Sequence, residues 1–212
     1  MNEKDQYWST RLAKVGEALR RNGIETFIAG SAEEALSQAL ALIPGGSTVG
    51  LGGSRTVREI GLLETLRKGD YTLYDQYRDG LDRDESMRIR KEGTRADCFV
   101  SGSNAITNDG KIVNVDGLGN RLAGFCFGPG KVIIVAGRNK IVPDLDAAFD
   151  RVRNVAAPIN AMRFGLKTPC VETAGCSDCD SAERICNLTL IIEKSRIEGR
   201  MNVILVNEEL GY

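Results

Sequence analysis

The chain has 212 residues, 42% of them hydrophobic and 27% charged, enough for one sizeable core and too few for two. Its 28 Lys and Arg against 29 Asp and Glu leave a net charge of −1, which gives a nucleic acid or an anionic membrane surface no electrostatic hold. There is no histidine, so Ser-His-Asp and Cys-His nucleophile pairs, imidazole bases and mixed His/Cys zinc sites are excluded together, and any metal must be held by sulfur or oxygen.

The polar start Met1-Asn2-Glu3-Lys4-Asp5-Gln6 lacks the basic-then-apolar pattern of a signal peptide, and no apolar run of about 18 residues occurs, so a cytoplasmic protein without membrane insertion is expected. In a reducing compartment the six cysteines read as metal ligands and buried thiols rather than three disulfides. Trp8, Leu12, Val15 and Leu19 recur at helical spacing and predict an amphipathic helix over about Gln6 to Asn22, with Gly23 as its stop. After a short strand at Thr26-Phe27-Ile28, Ser31 and Glu34 form a capping box for a second helix that closes at Pro44-Gly45-Gly46.

Ser47 to Leu51 then reads as a buried strand broken by Gly52-Gly53, with Thr56 and Glu59 as a further capping box for a helix through Leu66. Strand, glycine turn and helix in this order suit an anion, through backbone amides and the donors of Ser54, Arg55 and Thr56. The motif is neither Gly-x-Gly-x-x-Gly nor a Walker loop, and a plain strand-to-helix turn explains it as readily. Tyr71 to Tyr74 predicts a strand, Asp75 to Asp84 a solvated charged surface, and about Asp84 to Glu92 a basic helix.

Cys98 to Val100, Ile112 to Val115 and Val132 to Val135 are further strand candidates, and Pro143 to Asn154 and Pro158 to Arg163 read as helices begun by proline. Alternating strands and helices predict an α/β three-layer sandwich around a largely parallel sheet, followed by a C-terminal cysteine-rich segment. The expected organisation is one domain over 1–212, with 167–190 as the cysteine-rich part and two further short apolar runs at Leu188 to Ile192 and Val203 to Val206.

Asn108-Asp109-Gly110 between apolar runs is first a hairpin turn. Asn104, Asn114, Asp116, Asn120 and Arg121 together suit a ligand cleft, and Asn139-Lys140, directly after the Val132 strand, falls at the carboxyl edge of the sheet where such folds bind ligands. Acid–base work would fall to Asp109, Asp116, Glu59 or Lys140. The candidate anion site is Gly52, Gly53, Ser54, Arg55, Thr56, Asn104, Asn120, Asn139 and Lys140.

Cys170, Cys176, Cys179 and Cys186 follow the pattern Cys-x5-Cys-x2-Cys-x6-Cys, a density that points to metal. A single Cys-x-x-Cys knuckle with irregular outer spacings favours a [4Fe–4S] cluster, with zinc as the alternative. Cys98 and Cys126 read as ordinary buried thiols.

Gly50-Leu51-Gly52-Gly53-Ser54-Arg55-Thr56, Gly102 to Thr107, Gly119-Asn120-Arg121, Gly128-Pro129, Asn139-Lys140-Ile141-Val142 and Arg184-Ile185-Cys186-Asn187 resemble motifs of the LUD-domain (lactate utilisation) family. That resemblance implies a fold similar to ribose-5-phosphate isomerase, glucosamine-phosphate deaminase and the CoA transferases, in which a turn like Gly50 to Thr56 holds a sugar phosphate. It further implies iron–sulfur oxidoreductase partners in the oxidation of L-lactate or a related organic acid. Three roles follow: an accessory or electron-transfer protein carrying a cluster; an enzyme acting on a small anionic metabolite, with one iron open as a Lewis acid; or a fold whose appendage is pinned by structural zinc. A homo-oligomer is compatible with each.

Overall fold

A computed structural model of the chain describes residues 3–212; Met1 and Asn2, part of the polar start and of the 1–212 span read above, lie outside the described residues. Helix α1 (Glu3–Arg21) turns Leu12, Val15 and Leu19 inward and leads to β1 (Glu25–Ala29). Ser31 caps α2 (Ala32–Leu42), its hydroxyl accepting the Glu34 N–H, while the Glu34 carboxylate accepts the N–H of Gly30, one residue earlier than a capping box requires.

Strand β2 (Thr48–Leu51) is followed by the one-turn helix α3 (Arg55–Glu59) and by α4 (Leu62–Lys68), two helices where one was expected. The break is at Gly61, whose φ of +77° lies in the left-handed region that ends a helix. The cap of α3 is Ser54, not Thr56: Ser54 Oγ accepts the Val57 N–H.

β3 (Thr72–Tyr74) and the basic helix α5 (Arg83–Gly93) bracket the charged stretch. That stretch is not all solvated surface. Asp75 is buried against Arg67 at 2.7 Å, and Gln76 donates to the Leu51 carbonyl from a buried position.

The chain continues through β4 (Cys98–Gly102), the hairpin of β5 (Ala105–Thr107) and β6 (Ile112–Asp116), α6 (Asn120–Cys126), β7 (Lys131–Gly137), a 3-10 turn at Arg138–Lys140, and β8 (Ile141–Val142). Helices α7 (Leu145–Arg151) and α8 (Ala157–Arg163) are joined without a break by a π-helical turn at Val152–Ala156. The cap of α7 is Asp144, which accepts the Ala147 N–H; Pro143 precedes it. After α9 (Pro169–Thr173) come β9 (Leu188–Ile192) and β10 (Met201–Val206).

Six strands form an all-parallel sheet in the order β1-β10-β7-β4-β2-β3. Its period-2 alternation sorts the core into two layers. Ile133 and Val135 of β7 face Ala35, Ala39, Val57 and Leu62 of α2, α3 and α4. Val132, Ile134 and Ala136 face Leu12, Leu19 and Phe125 of α1 and α6. The result is an α/β three-layer sandwich.

A second sheet, β8-β5-β6-β9, lies beside it, with Ala105 and Val113 packed against Ala148 of α7. Among the described residues no helix is long and apolar enough to cross a membrane.

Candidate functional site

In a parallel sheet every strand delivers its carboxyl end to the same edge, and a crevice opens where successive strands depart in opposite directions. Here that point lies between β2, whose chain goes outward to β3, and β4, which lies on the other side. The turn after β2 (Gly53, Ser54, Arg55) and the turn after β4 (Ser103, Asn104) form facing walls of a cleft of about 260 Å³. Lys140 reaches it from beyond β7, Asp116 and Gly117 from the end of β6, and Arg90, Arg163 and Tyr212 close its rim.

Gly52 is required by close approach: a Cβ there would stand 2.4 Å from Ser101 Oγ and 3.0 Å from Arg121 Cγ. The short α3 adds little dipole, and one of its first N–H groups is already satisfied by Ser54. The electrostatics come instead from side chains.

Arg121 and Asp116 form a buried pair, with Nε and Nη2 each 2.8 Å from Asp116 Oδ1, and Asp116 Oδ2 accepts the Arg121 and Leu122 N–H groups at the start of α6. Asn104 ties the wall together. Its side-chain oxygen accepts from Arg121 Nη2 and the Val115 N–H, and its carbonyl accepts from Arg151 Nη1 at 2.6 Å.

Lys140 is 3% exposed, and its Nζ lies 2.7 Å from Thr56 Oγ1. Burial, then the charges of Arg151 and Arg121, push the amine down to about 7, with Glu59 opposing. Burial also brings Arg151 down to about 10.

Six charged side chains line the cleft: Arg55, Arg90, Asp116, Arg121, Lys140 and Arg163. Arg55 is matched by Glu59 at 2.9 Å and Arg121 by Asp116. Arg90, Lys140 and Arg163 have no carboxylate partner among the described residues, Arg163 instead stacking on Phe164 at 4.2 Å.

The structure therefore brings Gly53, Ser54, Arg55, Asn104, Asp116, Asn120 and Lys140 to one cleft, with Gly52 and Thr56 behind its wall. It places others elsewhere. Asp109 belongs to the β5–β6 turn, bonded to the Thr107 hydroxyl and paired with Lys111 at 3.0 Å, which hold its carboxyl below the usual range. Asn139 faces the C-terminal residues, donating to the Gly211 carbonyl and accepting from the Leu210 N–H. Sequence reasoning missed Tyr77, Arg90, Arg163 and Tyr212, which come from stretches without a motif.

The cysteine segment borders the same cleft. Ile185 lines it, and the Asn187 N–H donates to the Asp116 carbonyl at 2.9 Å. Asp178, at φ +48°, turns the Cys-x-x-Cys stretch so that its N–H points at Cys176 Sγ, 3.3 Å away, the kind of bond that stabilises a thiolate. Arg184 donates to the carbonyls of Cys179 and Cys186.

Burial pushes the Cys186 thiol up, with Arg184 opposing and Cys176 and Cys179 adding to the rise. Cys170 contacts Thr168 Oγ1 at 3.2 Å. The donor chemistry fits a thiolate-held metal or cluster, while among the described residues no group of three or more Cys, Asp or Glu is gathered around one point. Cys98 is buried as expected; Cys126 is exposed, as the last residue of α6 and outside its buried set of Arg121, Leu122, Gly124 and Phe125.

The parallel sandwich is of the α/β class in which ligands bind at the carboxyl edge of the sheet, where the cation-rich cleft lies. The chain belongs to the LUD-domain family, whose model matches residues 12–206. Among solved structures it is similar to a DUF162 family protein from Deinococcus radiodurans, with TM-score 0.54 and 16% identity over 94% of this chain and 98% of that one, a likeness of fold. Similarity to eIF2B beta from Chaetomium thermophilum covers 53% of this chain and 43% of that chain at 18% identity, and its TM-score of 0.38 carries no argument. No curated protein matches.

Proposed function

We propose that the cleft binds a small anionic metabolite, a carboxylate or phosphate compound. One observation carries this: the Arg90 and Arg163 guanidiniums line a 260 Å³ cleft without carboxylate partners among the described residues, beside the buried Lys140 amine, in a chain whose net charge is −1. Two guanidiniums without carboxylate partners repel one another unless an anion joins them, so part of the binding free energy comes from relieving that repulsion. The volume is below that of drug-sized pockets, roughly 300–1,000 Å³, and suits a compound of a few carbons. Ser54, Asn104 and Asn120 supply the neutral polar groups that orient it.

Calorimetric titration with inorganic phosphate, pyruvate and L-lactate tests the reading. At least one anion should bind with an affinity that falls as salt rises, and Arg90→Gln with Arg163→Gln should abolish it. Binding unaffected by the double substitution, or no binding by any of the three, removes the proposal.

A second reading rests on the Asp178 N–H aimed at Cys176 Sγ and on the Cys-x5-Cys-x2-Cys-x6-Cys pattern. Cys176, Cys179 and Cys186, with Cys170, would hold a [4Fe–4S] cluster, with zinc as the alternative. A cluster would supply one-electron transfer in the oxidation of lactate or a related acid, beside iron–sulfur partner proteins. Iron and acid-labile sulfide in protein purified without oxygen, lost in Cys179→Ser, would support this; zinc alone would reduce the segment to a structural site.

A further inference from the structure

The chemistry available at Lys140 goes beyond holding an anion. We propose that Lys140 is a nucleophilic amine that condenses reversibly with the carbonyl of a small anionic oxo compound, a 2-oxo acid or an aldehyde acid, held in the cleft. This rests on the anion reading above and names the substrate class of the same site.

Three features of the geometry carry it. First, Nζ has one hydrogen bond among the described residues, to Thr56 Oγ1 at 2.7 Å, and the Thr56 hydroxyl itself donates to the Leu210 carbonyl at 3.2 Å. Thr56 has therefore spent its proton and can only accept from the amine. A neutral Lys140 gives one N–H to Thr56 and keeps its nitrogen lone pair free.

Second, the charged groups around the amine are mainly cations. Arg151 of α7 and Arg121 of α6 disfavour a charge on it, Glu59 of α3 being the opposing group, and burial acts in the same sense as the arginines. A desolvated lysine beside other cations is the arrangement that makes an amine nucleophilic near neutral pH. Third, Arg90 and Arg163 line the same cleft without carboxylate partners, so an oxo acid can place its anionic group on a guanidinium while its carbonyl carbon meets Nζ.

In the condensation, Nζ forms a bond to the carbonyl carbon and the C=O π pair moves to oxygen. Both amine protons then leave with that oxygen as water, and a C=N bond remains. No oxidant, reductant or metal is needed for this step.

The test uses the intact wild-type chain with glyoxylate or pyruvate and sodium cyanoborohydride, followed by peptide mass mapping, with calorimetry of phosphate, pyruvate and L-lactate in parallel. Reduction fixes the imine as a secondary amine. Lys140 should be alkylated about tenfold or more faster than exposed Lys68 and Lys91, with a rate that rises through pH 7 rather than pH 10.

L-Lactate, having no carbonyl, should bind without giving an adduct. Anion binding with no preferential adduct at Lys140 overturns the proposal and leaves the cleft reading standing. Failure of phosphate, pyruvate and lactate alike to bind, with no adduct, removes both. Mapping on the wild-type chain makes the result independent of whether a Lys140 variant folds.

Discussion

Replacing Lys140 by Met should stabilise the protein at low pH and cease to do so at high pH. The amine is pushed down from its ordinary 10.5 to about 7, so the unfolded chain binds a proton between those values that the folded chain does not. Stability of the wild type should therefore rise with pH across that window, at up to about 1.4 kcal/mol per pH unit, with the full penalty present below pH 7 and none above 10.5. The span corresponds to about 5 kcal/mol as an upper value, and about 4 kcal/mol after allowing for relaxation of the site. Methionine fills a similar volume but forfeits the Thr56 hydrogen bond, worth about 1 kcal/mol. Lys140→Met should thus be about 3 kcal/mol more stable at pH 6, and about 1 kcal/mol less stable near pH 10.5. Urea unfolding of both proteins at half-unit intervals, taken as a difference, cancels the other lysines, tyrosines and cysteines that titrate there. A difference that stays constant from pH 6 to pH 10.5 would refute the reasoning, since it would mean that the buried amine keeps its proton.

Asp116→Asn leaves the Arg121 guanidinium buried without its counter-charge and should cost about 3–5 kcal/mol in urea unfolding, where loss of an exposed pair such as Arg88 with Glu85 should cost under about 1 kcal/mol. Gly52→Ala drives a methyl into Ser101 and the Arg121 stem, so a loss of about 1–3 kcal/mol together with weakened phosphate binding is expected; an unchanged crystal structure with unchanged stability would count against the tight wall described for the cleft. In the native protein iodoacetamide should label exposed Cys126 readily and Cys98 only after unfolding, because Cys98 is buried in the sheet and burial raises its thiol pKa.

Much of the sandwich was legible because its signals are local. The continuous apolar runs at Val132 to Val135 and Val203 to Val206 became central strands, and the helical stripe of Leu12, Val15 and Leu19 became the buried face of α1. Strand order was not legible: nothing in Val203 to Val206 shows that it inserts between β1 and β7.

The cleft was legible only in part, for the same reason. Glycine turns and polar clusters mark Ser54, Asn104, Asp116 and Lys140, but Arg90 and Arg163 look like any solvated arginine until helices α5 and α8 turn them toward a common space. Tyr77 hides in a charged stretch that seemed to belong to solvent, although Asp75 and Gln76 anchor it to the sheet. Thr56 illustrates a different failure. Thr-x-x-Glu is a capping pattern, yet Ser54 takes the cap and frees Thr56 to hold Lys140, a competition decided by tertiary contact.

The placement of β10 has a consequence for how the molecule forms. Among the described residues β1 pairs in the sheet only with β10, which separates it from β7, so β1 has no hydrogen-bonding neighbour until Met201–Val206 is made. During synthesis β2, β4 and β7 can assemble first, with α1 and α2 able to pack on β7 through Leu12, Leu19, Ala35 and Ala39, while β1 stays unpaired. The sheet is thus completed by a strand that enters between two made long before it, the kind of non-local pairing that slows folding.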